Sequence, residues 1–165
     1  MDLSLLNTKD ASEEGTWMPV LDLDWTTPFG DAQVLVLGPD SSEAARLVDE
    51  EERLTQRHLA EAFANKQTKV AEDGKEDRDI RKACRITKNW KEIDWEGKPF
   101  PYSPDNAKML YTKVPHLRAQ VLMHYNQRSN FTSPEYASWR KRFGEDSSST
   151  GPEKAGSPSE KRSKK

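Results

Sequence analysis

The stretch from Trp90 to Leu110 limits most sharply what this chain can fold into. It joins two tryptophans, Trp90 and Trp95, to an acidic Glu96-Gly97-Lys98 turn, a Pro99-Phe-Pro-Tyr102 piece and the dipeptide Ser103-Pro104. Asp94 to Pro99 is turn chemistry, and the prolines hold Pro99 to Tyr102 extended. Ser103-Pro104 is a helix start, with serine capping and proline at the first helical position. The segment holds no side chain that reads as a catalytic group. It reads as a signature of folding or recognition, which turns the question from chemistry to binding.

The rest of the chain gives this signature little to pack against. Of 165 residues 33% are apolar and 33% charged, with a mean hydropathy of -0.98. That suits one modest domain with a small core plus polar tails. Charge is unevenly spread. From Met1 to Gln56 there are thirteen acidic residues against three basic ones, a formal charge of −10, which leaves +8 for the rest of a chain whose total is −2. Such polarity suits an oriented partner or head-to-tail self-association. A lone cysteine, Cys84, excludes an internal disulfide and fits a reducing cytoplasm. The start Met1-Asp-Leu-Ser-Leu-Leu6 is unlike a signal peptide, and no 18-residue apolar window exists, so no membrane partner is expected.

Along the chain, residues 1–15 read as a polar arm gripped by Leu3, Leu5 and Leu6, and residues 16–143 as a single small domain. Within it, Thr16–Trp25 and Ala32–Leu37 flank Pro28-Phe-Gly-Asp31, which predicts a β-hairpin or small meander turning at those four residues. Val34 and Val36 share one face and Leu35 and Leu37 the other, so the strand calls for helical cover. Helices follow from residue 41. Asp40 or Ser41 can cap a long, mostly solvated helix from Ser42 to about Lys69, with Glu43 completing a capping box from Asp40. A second helix is predicted from Glu76 to Lys91, because Ile80, Ala83, Cys84, Thr87 and Trp90 recur at spacings of three and four. Further helices are expected over Asp105–Lys113, from Pro115 through Leu117, Val121, Leu122 and Tyr125, and over Tyr136–Phe143. Residues 144–165 read as a disordered, low-complexity tail. The fold class is thus α+β, mainly α-helical, with a small N-terminal β element packed on a helical body.

Enzyme chemistry finds no foothold in this pattern. His58, His116 and His124 are scattered, and His116 and His124 lie two helical turns apart, too far to share one metal. Cys84 sits on an apolar helix face, as a structural thiol does. No glycine-rich phosphate loop occurs. Neither a metal nor another cofactor is expected. Arg140-Lys-Arg142 beside Trp139 and Phe143 has the ingredients of a nucleic-acid contact, but the chain is acidic overall and its basic tail is diluted by carboxylates.

The series Glu14-Gly-Thr-Trp-Met-Pro19, Leu37-Gly-Pro-Asp-Ser41, Thr87-Lys-Asn-Trp90, Asp94-Trp-Glu-Gly-Lys-Pro99, Phe100-Pro-Tyr-Ser-Pro-Asp-Asn-Ala107 and Arg128-Ser-Asn-Phe131 resembles the tail assembly chaperones of long, non-contractile-tailed bacteriophages and prophages. The resemblance covers Glu14 to Phe131 as an ordered set of short motifs. It departs from the family pattern in the highly charged stretch from Asp49 to Asp79. It implies a non-enzymatic factor of the host cytoplasm that binds and solubilises the tape measure protein. Such a factor helps recruit the major tail (tube) protein and is absent from the mature virion. The alternative is a structural tail or head-tail joining protein retained in the particle. Candidate signature or partner-binding residues are Trp90, Trp95, Phe100, Tyr102, Leu117, Val121, Tyr125 and Phe131, with the Leu117/Val121/Tyr125 face expected to mask the partner's apolar stripe.

Overall fold

The computed structural model describes residues 2–65 and 74–143. The tail at 144–165 and the predicted helix end near Lys69 lie outside the described residues. Met1–Ser133 belong to one compact unit, and Pro134 begins a second, described here as a single helix, α6 (Pro134–Phe143).

The first unit is α+β and mainly helical. After a short 3-10 turn (Leu3–Leu6) come α1 (Lys9–Glu14), β1 (Thr16–Leu21), β2 (Pro28–Val36), α2 (Ser42–Ala64) and α3 (Lys75–Ile86). Then follow β3 (Thr87–Lys91), β4 (Asp94–Trp95), β5 (Lys98–Pro99), α4 (Pro104–Lys113), α5 (Pro115–Asn126) and a second 3-10 turn (Arg128–Asn130). β1, β2 and β3 form an antiparallel sheet in that order, while β4 and β5 make a separate small hairpin. α5 lies against β1 and β2, and α3 packs on α4 and α5. Val34 and Val36 point into a core shared with Met18, Ala83, Ile86, Trp90, Leu110 and Val121. Leu35 and Leu37 on the opposite face stay half-buried.

Two elements differ from expectation. The residues Thr87 to Lys91, read as the end of a helix, form the third strand of the sheet. The ladder explains the misleading spacing. Between the pairs Thr87↔Val36 and Asn89↔Leu35 the chain advances two residues on β3 and one on β2, so Lys88 bulges out. A bulge flips the alternation, and Thr87 and Trp90, three apart as on a helix face, both point inward. The second difference is the hairpin turn. The chain reverses at Asp22–Thr27, and Pro28-Phe-Gly-Asp31 lies in β2. From Pro19↔Gln33 to Leu21↔Pro28, two steps on β1 match five on β2, so Phe29, Gly30 and Asp31 are thrown out of the ladder. Gly30 there has φ +62. Turn chemistry was present, but it serves a bulge.

Of the three leucines expected to grip the arm only Leu5 is half-buried, and polar groups do much of the holding. Leu3 and Leu6 are exposed, whereas Ser12 is buried. Thr8 donates to Asp40, and Glu13 accepts from both the backbone and the hydroxyl of Ser42. Asp40 is committed to that bond and to a paired contact with Arg128, so Ser41 is the N-cap of α2, accepting from Ala44 N at 3.2 Å while Glu13 takes Ser42 N. Of the acidic run Asp49–Glu52, Glu50 joins Glu43 in binding Arg85 of α3.

α5 also covers one end of the sheet edge. Gln120, one turn from both His116 and His124, is buried and uses its amide twice, accepting from Leu21 N at 2.9 Å and donating to Leu21 O at 2.7 Å. Thr16 Oγ1 bonds His124 Nε2 at 2.7 Å, and Pro19 between them has no N–H to satisfy. A polar stripe at i, i+4, i+8 thus stands in for a neighbouring strand at the Leu21 end of the β1 edge.

Burial pushes His124 from 6.5 down to about 4. The folded chain therefore keeps it neutral while the unfolded chain takes up a proton below 6.5. Stability linked to this group is full above pH 6.5 and falls as pH drops toward 4. Urea titrations across that window are expected to show a falling midpoint in the natural chain. His124→Gln, lower in stability near neutral pH, should show a flatter dependence.

Candidate functional site

The signature residues come together, but as framework. Trp90 is 5% exposed and lies opposite Val34 in the sheet. Its indole donates to Phe100 O at 2.6 Å, stacks on the Phe100 ring and meets Tyr102 edge-on at 5.0 Å. Tyr102 in turn donates to Thr87 O at 2.8 Å. Thr87 Oγ1 closes on Ala83 O and on the fully buried Tyr111 hydroxyl, 2.6 Å away. Trp95 lies at the rim, half-buried, tilted against Phe100 and with Lys113 above its ring. The Glu96-Gly97 turn that returns the chain from β4 to β5 has positive φ at both residues, 54° and 74°, as the tight hairpin turn between two strands demands.

A second junction gathers the remaining motifs. Gly15 has φ +83, and a Cβ on it would lie 2.9 Å from Val36 O. A Cβ on Gly38 would fall 2.2 Å from Ser12 Oγ and 2.8 Å from the Phe131 ring, so only glycine fits. Phe131 is fully buried against His124, edge-on at 5.4 Å. The Asn130 amide beside it donates to His124 O at 3.0 Å, satisfying a carbonyl at the end of α5.

Leu117, Val121 and Tyr125 also face the core, Val121 with no exposure at all. They offer no surface to a partner while the unit is folded. This corrects the expectation that this helix face masks an apolar stripe. The reason lies in α5 itself, which buries Gln120 against β1 as well as its apolar side and so has little free face.

Exposed apolar side chains lie elsewhere. Phe63, Val48 and Leu59 stand singly along α2, whereas Leu23, 76% exposed, and Phe29, 63% exposed, cluster in the chain at the hairpin end with the partly exposed Trp25. Trp25 has φ +61, a costly conformation for a bulky residue. Asp24 holds it there by accepting from Thr26 N, Thr27 N and Thr27 Oγ1, which also keeps its carboxyl below the usual range. The Trp25 ring rests edge-on against His116 at 4.7 Å. Between hairpin and α5 runs a cleft of about 210 Å³, lined by Met18, Pro19, Leu21, Trp25 and Met123, with Gln120 on its floor. The signal that could have revealed this surface is the alternation Asp22-Leu-Asp-Trp25, within a run from Asp10 to Ala45 that contains no Lys or Arg.

The nucleophile and metal candidates stay apart. Burial pushes the Cys84 thiol up, away from a reactive thiolate. Among the described residues no three His, Cys, Asp or Glu side chains converge on a metal-sized site, and no helix is long and apolar enough to cross a membrane.

Truncating Trp90 removes a buried indole and orphans Phe100 O, so Trp90→Ala is expected to cost about 3–5 kcal/mol. Trp95→Ala, at the rim, should cost about 1 kcal/mol. Gly38→Ala should cost about 1–3 kcal/mol through overpacking at Ser12 and Phe131. Equilibrium urea unfolding checks the ranking, and equal costs for Trp90→Ala and Trp95→Ala would contradict it.

Comparison of the chain with protein-family models, with curated proteins and with solved structures finds no match.

Proposed function

We propose that this chain is a phage tail assembly chaperone, a non-enzymatic factor of the host cytoplasm that keeps the tape measure protein soluble, helps recruit tail tube protein, and leaves before the virion is complete. The observation that supports it is the ordered motif series, whose members, though spread from Gly15 to Phe131, meet at two junctions of one framework. Residues that define a resemblance are expected to be such framework residues when the shared property is a fold that presents a surface.

The physics suits the role. A tape measure is a long helical protein whose apolar stripes aggregate unless covered. This unit carries exposed large apolar side chains on a charged body, as a reversible cover needs. Weak contacts repeated along one filament add up through avidity, and each remains easy to displace when tube protein arrives.

Co-expression with the tape measure protein tests this. The expected result is that an otherwise insoluble tape measure becomes soluble and that the chain co-purifies with it in several copies while being absent from finished particles. No rescue and no association would overturn the proposal, and retention in purified virions would favour the structural tail or head-tail joining role.

A further inference from the structure

We infer that the hairpin end and the cleft beside α5 form a docking surface for a partner helix whose apolar stripe is flanked by Lys or Arg. The apolar part of the surface is Leu21, Trp25 and Met123 lining the cleft, together with Leu23 and Phe29, exposed on the same hairpin end but outside the lining. The hairpin itself carries charge of one sign: from Gly15 to Leu37 the chain holds Asp22, Asp24 and Asp31 and no Lys or Arg, while Lys91 of β3 reaches its far end, over the Trp17 ring. All three carboxylates are exposed beside the apolar side chains. The α5 wall of the cleft contributes Gln120, Met123, His124 and Gln127, with His124 held neutral by burial. Cations flanking an apolar stripe would meet this rim, and carboxylates would be repelled by it.

A helix is chosen over a strand because β1 has little left to pair with. Leu21 N–H and C=O are both taken by Gln120, and Pro19 has no N–H. An extended partner would find no free N–H at Pro19 or Leu21, the strand end beside the cleft, whereas a helix satisfies its own backbone and needs only side-chain contacts. The surface is also prepared in advance. Asp24 fixes the turn and His116 backs the Trp25 ring, so little ordering remains for binding to impose. Met18 and Met123 in the cleft can adapt to differing side chains along a long partner. That this helix belongs to the tape measure rests on the function proposed above; the chemistry of the site rests on this unit alone.

The test uses the full chain and two designed amphipathic helical peptides with the same Leu stripe, one flanked by Lys and one by Glu, titrated by fluorescence anisotropy. At low salt the Lys-flanked peptide is expected to bind roughly tenfold tighter, with the gap narrowing as salt rises. Leu23→Ser with Phe29→Ser should weaken it by about tenfold, and Asp22→Asn with Asp31→Asn should bring the two peptides together. Both double variants alter exposed residues, so thermal melts close to that of the natural chain are expected. Equal binding of the two peptides, or unchanged binding by the Leu23/Phe29 variant, would overturn the inference. So would self-association of the chain through this surface, seen by sedimentation and lost in that variant, without peptide binding. If the natural chain and the Leu23/Phe29 variant rescue the tape measure equally, the surface is wrong and the chaperone role stands. If the peptides behave as expected and the natural chain fails to rescue, the surface stands and the role fails.

Discussion

Trp90 is the side chain on which the rest of this small unit depends. It belongs to the sheet by its backbone, opposite Val34, and to the proline-rich segment by its ring and indole N–H. Without it, the segment from Ile93 to Tyr102 keeps few anchors to the rest of the unit, Tyr102 to Thr87 O and the Asn106 amide to Pro101 O among them. In a chain this poor in apolar residues, one large aromatic joining two layers does what several aliphatic contacts do in a richer core. The Thr87 network beside it fixes where helix α3 gives way to strand, since Tyr111 and Tyr102 both seize that residue.

That arrangement separates two roles the aromatic residues might have shared. The framework aromatics Trp90, Phe100, Tyr102 and Phe131 turn toward each other or the core, while Trp25 and Phe29 are left outward. Trp90 and Tyr102 are held by hydrogen bonds to backbone carbonyls, and Phe100 and Phe131 by ring packing, none of which a partner could reach without opening the unit. Trp25 sits on a turn under backbone strain and Phe29 on the bulge of β2 that follows, at the end of a hairpin that α5 covers at Leu21. Covering Leu21 with Gln120 leaves apolar side chains, rather than backbone, as the means of recognition there.

Much of the fold was legible because its signals were local. Ser103-Pro104 starts α4, Ser41 caps α2, Glu96-Gly97 turns a tight hairpin, and Val34 and Val36 alternate inward. What was not legible came from pairing at long range. Lys88 bulges only because β2 lies alongside, and this makes a strand carry helical spacing. The stripe of His116, Gln120 and His124 looked like scattered polar residues because its purpose is set by β1, about a hundred positions earlier. The aromatics of the signature stand close together in the sequence, but burial, which decides between packing and contact, is a property of the assembled unit. The inward turn of Leu117, Val121 and Tyr125 follows from the same cause.

If the signature segment is scaffold and the hairpin end is where a partner is met, hydrogen exchange of the chain, alone and with the tape measure protein proposed as its partner, separates the two. New protection is predicted over Leu21–Asp31 and the Met123 turn of α5, with Thr87–Tyr102 already slow to exchange and unchanged. New protection confined to Thr87–Tyr102, with the hairpin exchanging as in the free chain, would contradict it.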